Sequence, residues 1–377
     1  MDIIIIGAGP SGLAVAGRLA EKKVPYLMLE KGQHIGEAWH HHYDRLHLHT
    51  DRRFSGLPHR PIPESYPVFV PKEKLISYWQ DYADHYGIRP RFNQEVKKIY
   101  RHGERWKVVT TTDEYEADGV VMCTGYNRIP NIPHWPGDKT LFEGEIIHSS
   151  QYRNAEPYRG KRVLVVGMGN SGAEIALDLS ENGVETYLSL RSPVNIMNRD
   201  IGGKPTQLSA IVLSTLLPNW AYDQLSRIVQ KKTIGDLSPY GIDRPDFAPA
   251  KGIRMGHIPV LDVGTVAQIK AGKIKVKRDI EHFTANGVLF VDGTRLPLDA
   301  VILATGYRAL LGELVEGLRP RLNERGCPGQ LWYDDLPGLY FLGFSVPLTG
   351  ILRSINIESG KIVKRLLEQR VGKSSHN

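Results

Sequence analysis

Two hexapeptides carry the most specific chemistry in this chain. Gly7-Ala8-Gly9-Pro10-Ser11-Gly12 and Gly167-Met168-Gly169-Asn170-Ser171-Gly172 both read G-x-G-x-x-G, 160 residues apart. In such a run the first glycine permits a tight turn out of a strand. The second lets the backbone approach a pyrophosphate, and the third lets the following helix pack closely. The free N–H groups and partial positive charge at the helix start then face the phosphates. A carboxylate about 20 residues further on accepts ribose hydroxyls. Glu30 stands eighteen residues beyond Gly12, with Lys31 beside it. After the second turn the next strand ends in Leu190-Arg191-Ser192. An arginine in the acid's place holds the 2′-phosphate of NADP through charge-assisted hydrogen bonds. The contrast between Glu30 and Arg191 predicts FAD at the first turn and NADPH at the second. Hydride transfer from nicotinamide to flavin is the chemistry that uses both. The bland alternatives are a turn that only packs and an Arg191 that is only a solvated cation.

The elements around each turn are those a dinucleotide fold needs. Asp2 to Ile6 reads as a buried strand, Leu13 to Lys22 as a helix and Val24 to Glu30 as a second strand. The cycle recurs with a strand over Arg162 to Val166, a helix over Ala173 to Glu181 and a strand over Glu185 to Leu190. Each βαβ unit is followed by further strands and a T-G-Y tripeptide, Thr124-Gly125-Tyr126 and Thr305-Gly306-Tyr307. Pro71 to Tyr86 and Asn356 to Gln369 read as helices. Lys107 to Thr112, Gly119 to Cys123, Lys273 to Lys277, Gly287 to Val291, Ala300 to Leu303 and Leu339 to Gly343 read as strands. The expected fold is α/β, with two Rossmann-like domains and the NADP domain inserted into the FAD domain. The expected division is 1–154 for the first part of the FAD domain, 155–299 for the NADPH domain and 300–377 for the rest of the FAD domain. The NADPH domain carries a partly helical insert over about 195–260.

With 377 residues the chain is long enough for two or three cores. Its net charge of +7 suits anionic cofactors or acidic substrates. No run of five basic residues and no aromatic-basic platform is present, which argues against nucleic acid. Cys123 and Cys327 are far apart and form no C-x-x-C. That argues against a disulfide framework and against a dithiol reductase, and fits a reducing compartment. No signal peptide precedes the first motif, and the apolar stretch from Ala210 to Leu217 is too short to span a bilayer. A cytoplasmic protein is expected. Oligomeric state stays open, a homodimer included.

At this point the chain resembles the flavin-containing monooxygenases (class B flavoprotein monooxygenases), and their YUCCA-like branch most. The family fingerprint F-x-G-x-x-x-H-x-x-x-(F/Y/W) is met by Phe142, Gly144, His148 and Tyr152. Tyr43-Asp44-Arg45-Leu46, Pro61-Ile62-Pro63-Glu64-Ser65-Tyr66-Pro67 and Ala304-Thr305-Gly306-Tyr307 match as well. The resemblance implies that NADPH reduces FAD, that reduced flavin and O2 give a C4a-hydroperoxide, and that one oxygen passes to a small N-, S- or 2-oxo-acid substrate. By position it implies FAD contacts at Gly7, Gly9, Pro10, Ser11, Gly12, Glu30 and Lys31, with Trp39 along the flavin. It implies NADP contacts at Gly167, Gly169, Asn170, Ser171, Gly172 and Arg191. It gives His148 and Tyr152 a supporting role, and makes Thr124-Gly125 and Thr305-Gly306-Tyr307 crossing segments. Many members place an asparagine beneath the flavin; the matched position here is His49, the expected catalytic residue. The fingerprint ends in Tyr152-Arg153, whereas Baeyer–Villiger relatives end in Trp followed by Pro or Asp.

His40, His41, His42, His47 and His49 invite a metal reading, but consecutive side chains in an extended chain point apart, so no metal is expected. In the insert, Leu208, Ile211, Val212, Leu216, Leu217, Trp220 and Tyr222 form an apolar stripe. It reads as packing, with a substrate lid and a membrane contact as alternatives. The competing functions are a flavin oxidoreductase passing electrons to a quinone or partner without oxygen insertion, a Baeyer–Villiger ketone monooxygenase, and a redox sensor.

Overall fold

The computed structural model describes residues 2–347 and 349–374. The last three residues of the polar terminus, Ser375, His376 and Asn377, lie outside them. The chain divides into two compact units. The first holds Met1–His40, Thr50–Ile129 and Tyr307–Asn377; the second holds His41–His49 and Pro130–Gly306.

The first unit is built on a parallel sheet in the order Leu27–Leu29, Ile3–Ile6, Gly119–Met122, Leu339–Phe341. Ile3–Ile6 and Gly119–Met122 are buried throughout, as strands of a covered parallel sheet must be. The helix Pro10–Glu21 buries Leu13, Val15, Ala16 and Leu19, and packs against the helices Lys72–His85 and Ile351–Ser374. Arg18 ties it to the last of these through Ser359 Oγ (3.0 Å) and the Asn356 carbonyl (2.8 Å). A three-stranded antiparallel sheet, Val96–His102, Arg105–Thr110 and Glu114–Ala117, adds Ile99, Trp106 and Val108 to the core beside Val120 and Leu339.

The second unit repeats the plan. Its parallel sheet runs Ile274–Lys277, Glu185–Ser189, Arg162–Val166, Ala300–Leu303, Glu145–His148. The helix Asn170–Glu181 follows the glycine turn. Ile280–Thr284, Gly287–Phe290 and Arg295–Pro297 form its antiparallel sheet. The insert begins and ends on a short parallel pair, Ile196–Asn198 with Val260–Asp262, and carries the helices Thr206–Leu216, Asn219–Thr233 and Pro249–Arg254. Its stripe is not ordinary packing: Tyr222 is buried, but Val212, Leu216 and Trp220 are exposed. Among the described residues no helix is long and apolar enough to cross a membrane.

The α/β class and the insertion of one dinucleotide fold within the sequence of another are as the sequence predicts, but the divisions move. Ala300–Leu303 pairs with Arg162–Val166 on one side and with Glu145–His148 on the other. Backbone pairing therefore draws 130–154 and 300–306 into the second unit, away from the divisions expected at 154 and 299. The strand Glu145–His148 lies inside the fingerprint; it is short, at the sheet edge, and shows no alternation that would announce it. The helices begin at Pro10 and Asn170 rather than Leu13 and Ala173, because extended Gly9 and Gly169 already stand at their N-caps.

Candidate functional site

The two glycine turns have the same geometry. Gly7 has φ +104° and Gly167 has φ +97°, backbone that L side chains rarely adopt. A Cβ on Gly7 would sit 2.6 Å from the Cys123 carbonyl oxygen, and one on Gly167 2.8 Å from that of Ala304. A Cβ on Gly12 would lie 1.9 Å from the Gly7 carbonyl oxygen, and one on Gly172 2.0 Å from that of Gly167. These four positions are glycine because the protein packs against them. Gly9 and Gly169 differ: a Cβ on either meets no atom within 4 Å. The protein leaves that space open, at the point where a pyrophosphate would approach.

The helix starts behind the turns are free to receive it. Pro10 occupies the first turn of its helix, where a missing N–H is harmless, and no side chain caps either helix. Asn170 turns its side chain elsewhere, accepting the Leu261 N–H at 2.7 Å through Oδ1. Ser11 is buried, with its Oγ so close to Gly343 that a Cβ there would lie 2.2 Å away.

Glu30 is buried, and both its oxygens serve the turn. Oε2 accepts the Ala8 N–H at 2.7 Å and Oε1 accepts the Gly32 N–H at 2.9 Å. Each carboxylate oxygen has a second lone pair, so the group holds the turn and can still accept ribose hydroxyls. Lys31 beside it is exposed. Arg191, at the matching place in the second unit, is exposed, and among the described residues no carboxylate pairs with it.

The two T-G-Y segments differ. Thr305 donates its hydroxyl to the Asn131 carbonyl at 2.6 Å, and Asn131 Nδ2 donates to the Thr305 carbonyl at 3.2 Å. Thr124 Oγ1 is buried with no hydrogen-bond partner. Gly125 has φ +71° with open space where a Cβ would stand, as Gly306 does at φ +81°. A buried unpartnered hydroxyl beside the first turn and an unfilled glycine cradle fit a ligand there. Tyr307 is half-buried at the start of the return to the first unit. Trp39 is half-buried, edge-on to Trp79 with ring centroids 5.3 Å apart.

The fingerprint residues are held by the protein itself. Phe142 packs edge-on to Phe283 at 5.4 Å. A Cβ on Gly144 would lie 2.5 Å from the Phe142 ring and 2.7 Å from the Asp299 carbonyl oxygen. His148 is buried between Gly306 and Ser150: Nε2 donates to the Gly306 carbonyl at 3.1 Å, and Nδ1 accepts the Ser150 N–H at 3.1 Å. Those partners select the neutral ring, and burial holds its pKa below the usual histidine value. Tyr152 is buried and donates its hydroxyl to Asp178 Oδ2 at 2.6 Å, so burial and that carboxylate drive its pKa far up. The signature thus fastens strand Glu145–His148 to the T-G-Y segment and to the glycine-turn helix Asn170–Glu181.

The histidines scatter. His40 Nε2 reaches the Ile35 carbonyl at 3.2 Å, and His47 Nδ1 the Arg45 carbonyl at 2.6 Å. His49 lies against Glu174, its Nε2 2.7 Å from Oε1. Residues 41–49 are strapped to the helix Asn170–Glu181, with Arg45 Nη1 2.8 Å from Glu181 Oε2 and the Tyr43 hydroxyl bonded to Ser171 and Glu174. Glu174 is absent from the sequence-based set, although a signal was there. It occupies the position that Ala14 holds in the first helix, a buried face where an acid has no packing role. Cys123 and Cys327 are free and buried, and burial raises both thiols, which removes them as nucleophiles.

Two dinucleotide folds, one opened to admit the other, with unfilled glycine cradles and matched strand-end residues of opposite charge, are the architecture of a flavoprotein oxidoreductase. A family model described as flavin-binding monooxygenase-like matches residues 1–319. The chain belongs to that family, and it is an oxygen-dependent flavin monooxygenase. It is 41% identical over 315 residues to the probable indole-3-pyruvate monooxygenase YUCCA9 of Arabidopsis thaliana, covering 81% of this chain and 75% of that one. It is 38% identical over 365 residues to the indole-3-pyruvate monooxygenase YUCCA8 of Oryza sativa subsp. indica, covering 91% and 86%. Among solved structures, a flavin-containing monooxygenase from Stenotrophomonas maltophilia superposes with a TM-score of 0.72 at 23% identity, covering 96% of this chain and 98% of that one. At that identity the likeness speaks for the fold.

Proposed function

We propose that the chain uses FAD at the first glycine turn and NADPH at the second to oxygenate a small 2-oxo acid. The difference between Glu30 and Arg191, on cradles of matching backbone geometry, carries the assignment of the two nucleotides. Bound FAD supplies the chemistry: it takes a hydride from NADPH and activates O2. The protein binds and orients. The Gly9 and Gly169 cradles admit the two pyrophosphates, Glu30 accepts the adenosine hydroxyls of FAD, and Arg191 pairs with the 2′-phosphate of NADPH. Thr124 offers its buried hydroxyl to the first nucleotide, and Trp39 and Lys31 serve the same nucleotide. Thr305, Gly306, His148 and Tyr152 fix the frame of the second. The substrate class rests on the two plant relatives, both named for indole-3-pyruvate, and on His49 standing where other members carry asparagine. The small-molecule oxygenation reading needs no nucleic acid partner, and the exposed Val212, Leu216 and Trp220 of the insert become a substrate lid.

The experiment supplies purified holoenzyme with NADPH and air, and offers indole-3-pyruvate, trimethylamine and a simple thioether in turn. Product from the 2-oxo acid alone is expected. Product only from the amine or the thioether overturns the substrate class, and NADPH oxidation that yields no oxygenated product overturns the reaction.

A further inference from the structure

Four side chains form a polar chain on the helix behind the second glycine turn, Tyr43 and Glu174 buried, Ser171 and His49 half-buried. Ser171 and Glu174 belong to that helix; Tyr43 and His49 come from the strap 41–49. Tyr43 is 2% exposed and hydrogen-bonds Ser171 and Glu174. Burial, reinforced by the Glu174 charge, keeps its hydroxyl protonated, so toward Glu174 it is a donor. Glu174 is 4% exposed, and its Oε1 lies 2.7 Å from His49 Nε2, at hydrogen-bond distance although off the ideal angle. Such misalignment is common before a ligand tightens a site. The other ring nitrogen, His49 Nδ1, is buried with no partner.

The chemistry of this chain has a direction. A carboxylate only accepts, so beside it Nε2 carries the ring proton. In the neutral ring Nδ1 is then a bare lone pair, and a buried acceptor without a donor is unfavourable until one arrives. Phosphate oxygens cannot serve, because they too only accept. The groups of a nicotinamide nucleotide that can are its ribose hydroxyls and its carboxamide N–H.

We propose that Glu174 is a positioning residue that sets the tautomer of His49, so that His49 Nδ1 accepts a hydrogen bond from a hydroxyl or amide N–H of the nucleotide bound at the second turn. This rests on the reading that the second turn holds NADP(H). It adds what Arg191 cannot provide, since Arg191 reads the phosphate and the His49–Glu174 pair reads a neutral donor.

Glutamine at 174 makes the idea testable, because an amide has one accepting and one donating end. In Glu174→Gln the Tyr43 hydroxyl takes the amide oxygen, which leaves the NH2 facing His49 Nε2. The ring must then carry its proton on Nδ1 and present a donor to a donor. Adding Tyr43→Phe frees the amide to turn over, accept from Nε2 and restore the original tautomer.

The experiment titrates FAD-loaded wild type, Glu174→Gln and Tyr43→Phe/Glu174→Gln with NADP⁺, following flavin fluorescence, and records ¹⁵N spectra of histidine-labelled wild type with NADP⁺. Melting temperature and flavin content are measured alongside. We expect Glu174→Gln to weaken NADP⁺ about tenfold or more, and the double variant to recover most of that loss. In the wild-type spectrum His49 should carry its proton on Nε2. Equal NADP⁺ affinity in wild type and Glu174→Gln overturns the proposal, as does a proton on Nδ1 in wild type, or a double variant weaker than the single. A merely structural Glu174 would lose stability in both variants and show no recovery. If wild type itself binds no NADP⁺, the nucleotide assignment of the second turn fails instead.

Discussion

Substitution of Gly9 and Gly12 by alanine separates a ligand cradle from a packing turn. Gly9 has φ −81° and ψ −174°, backbone that any residue adopts, and a Cβ there meets nothing within 4 Å. Gly9→Ala therefore leaves the flavin-free protein within about 0.5 kcal/mol of wild type. With FAD present, the added methyl occupies the space through which the pyrophosphate reaches the helix N–H groups. The loss is at least one hydrogen bond to a charged group, about 1.5–3 kcal/mol, or roughly 10- to 150-fold in affinity. Gly12→Ala is a different perturbation. Its Cβ would stand 1.9 Å from the Gly7 carbonyl oxygen, a backbone atom that cannot move aside alone. Helix and strand must separate, so the flavin-free protein itself is destabilised, by about 1–3 kcal/mol as overpacking generally does. The assay is thermal melting of flavin-free protein together with FAD titration by fluorescence quenching. If Gly9→Ala lowers the flavin-free melting temperature as Gly12→Ala does, or binds FAD as wild type does, the cradle reasoning is wrong.

Arg191→Ala removes the phosphate partner; we expect the KM for NADPH to rise about 10- to 100-fold while that for NADH hardly moves, and equal effects on both would contradict the assignment. Tyr152→Phe deletes the buried bond to Asp178 (2.6 Å) and should cost about 1–3 kcal/mol of stability, read as a drop in melting temperature; an unshifted melt would show that the bond contributes nothing. His148 has a folded-state pKa depressed by burial, so the unfolded chain takes up its proton first as pH falls. Stability from this residue is complete above the unfolded value near 6.5 and declines below it; His148→Gln should flatten that part of a melting profile against pH, and an unchanged slope would remove His148 from the linkage.

The glycine spacing and the identity of the two strand-end residues were enough to place both dinucleotide folds, because the positive φ of Gly7 and Gly167 and the contacts of Gly12 and Gly172 with their carbonyls are constraints within six residues. The turn and packing roles of Gly7, Gly12, Gly167 and Gly172 are legible from two six-residue motifs for that reason. What the sequence hid are pairings between distant segments. Glu145–His148 has too few residues to show a period, and becomes a strand only because Ala300–Leu303 lies beside it. Nothing near Tyr152 in the sequence shows that Asp178 takes its hydroxyl. That His49 lies against Glu174 was not legible either, since 125 positions separate them. The insert stripe deceived differently: its spacing is that of a packed helix, yet Leu216 and Trp220 are each 72% exposed.

The central claim is that one atom of molecular oxygen reaches an organic substrate. The most direct measurement supplies the FAD-loaded enzyme with NADPH, indole-3-pyruvate and ¹⁸O2, and weighs the product. Oxidative decarboxylation of the 2-oxo acid gives CO2, water, NADP⁺ and the acid one carbon shorter, and that acid should carry one ¹⁸O. Unchanged 2-oxo acid, with all of the consumed oxygen recovered as hydrogen peroxide, would contradict the account.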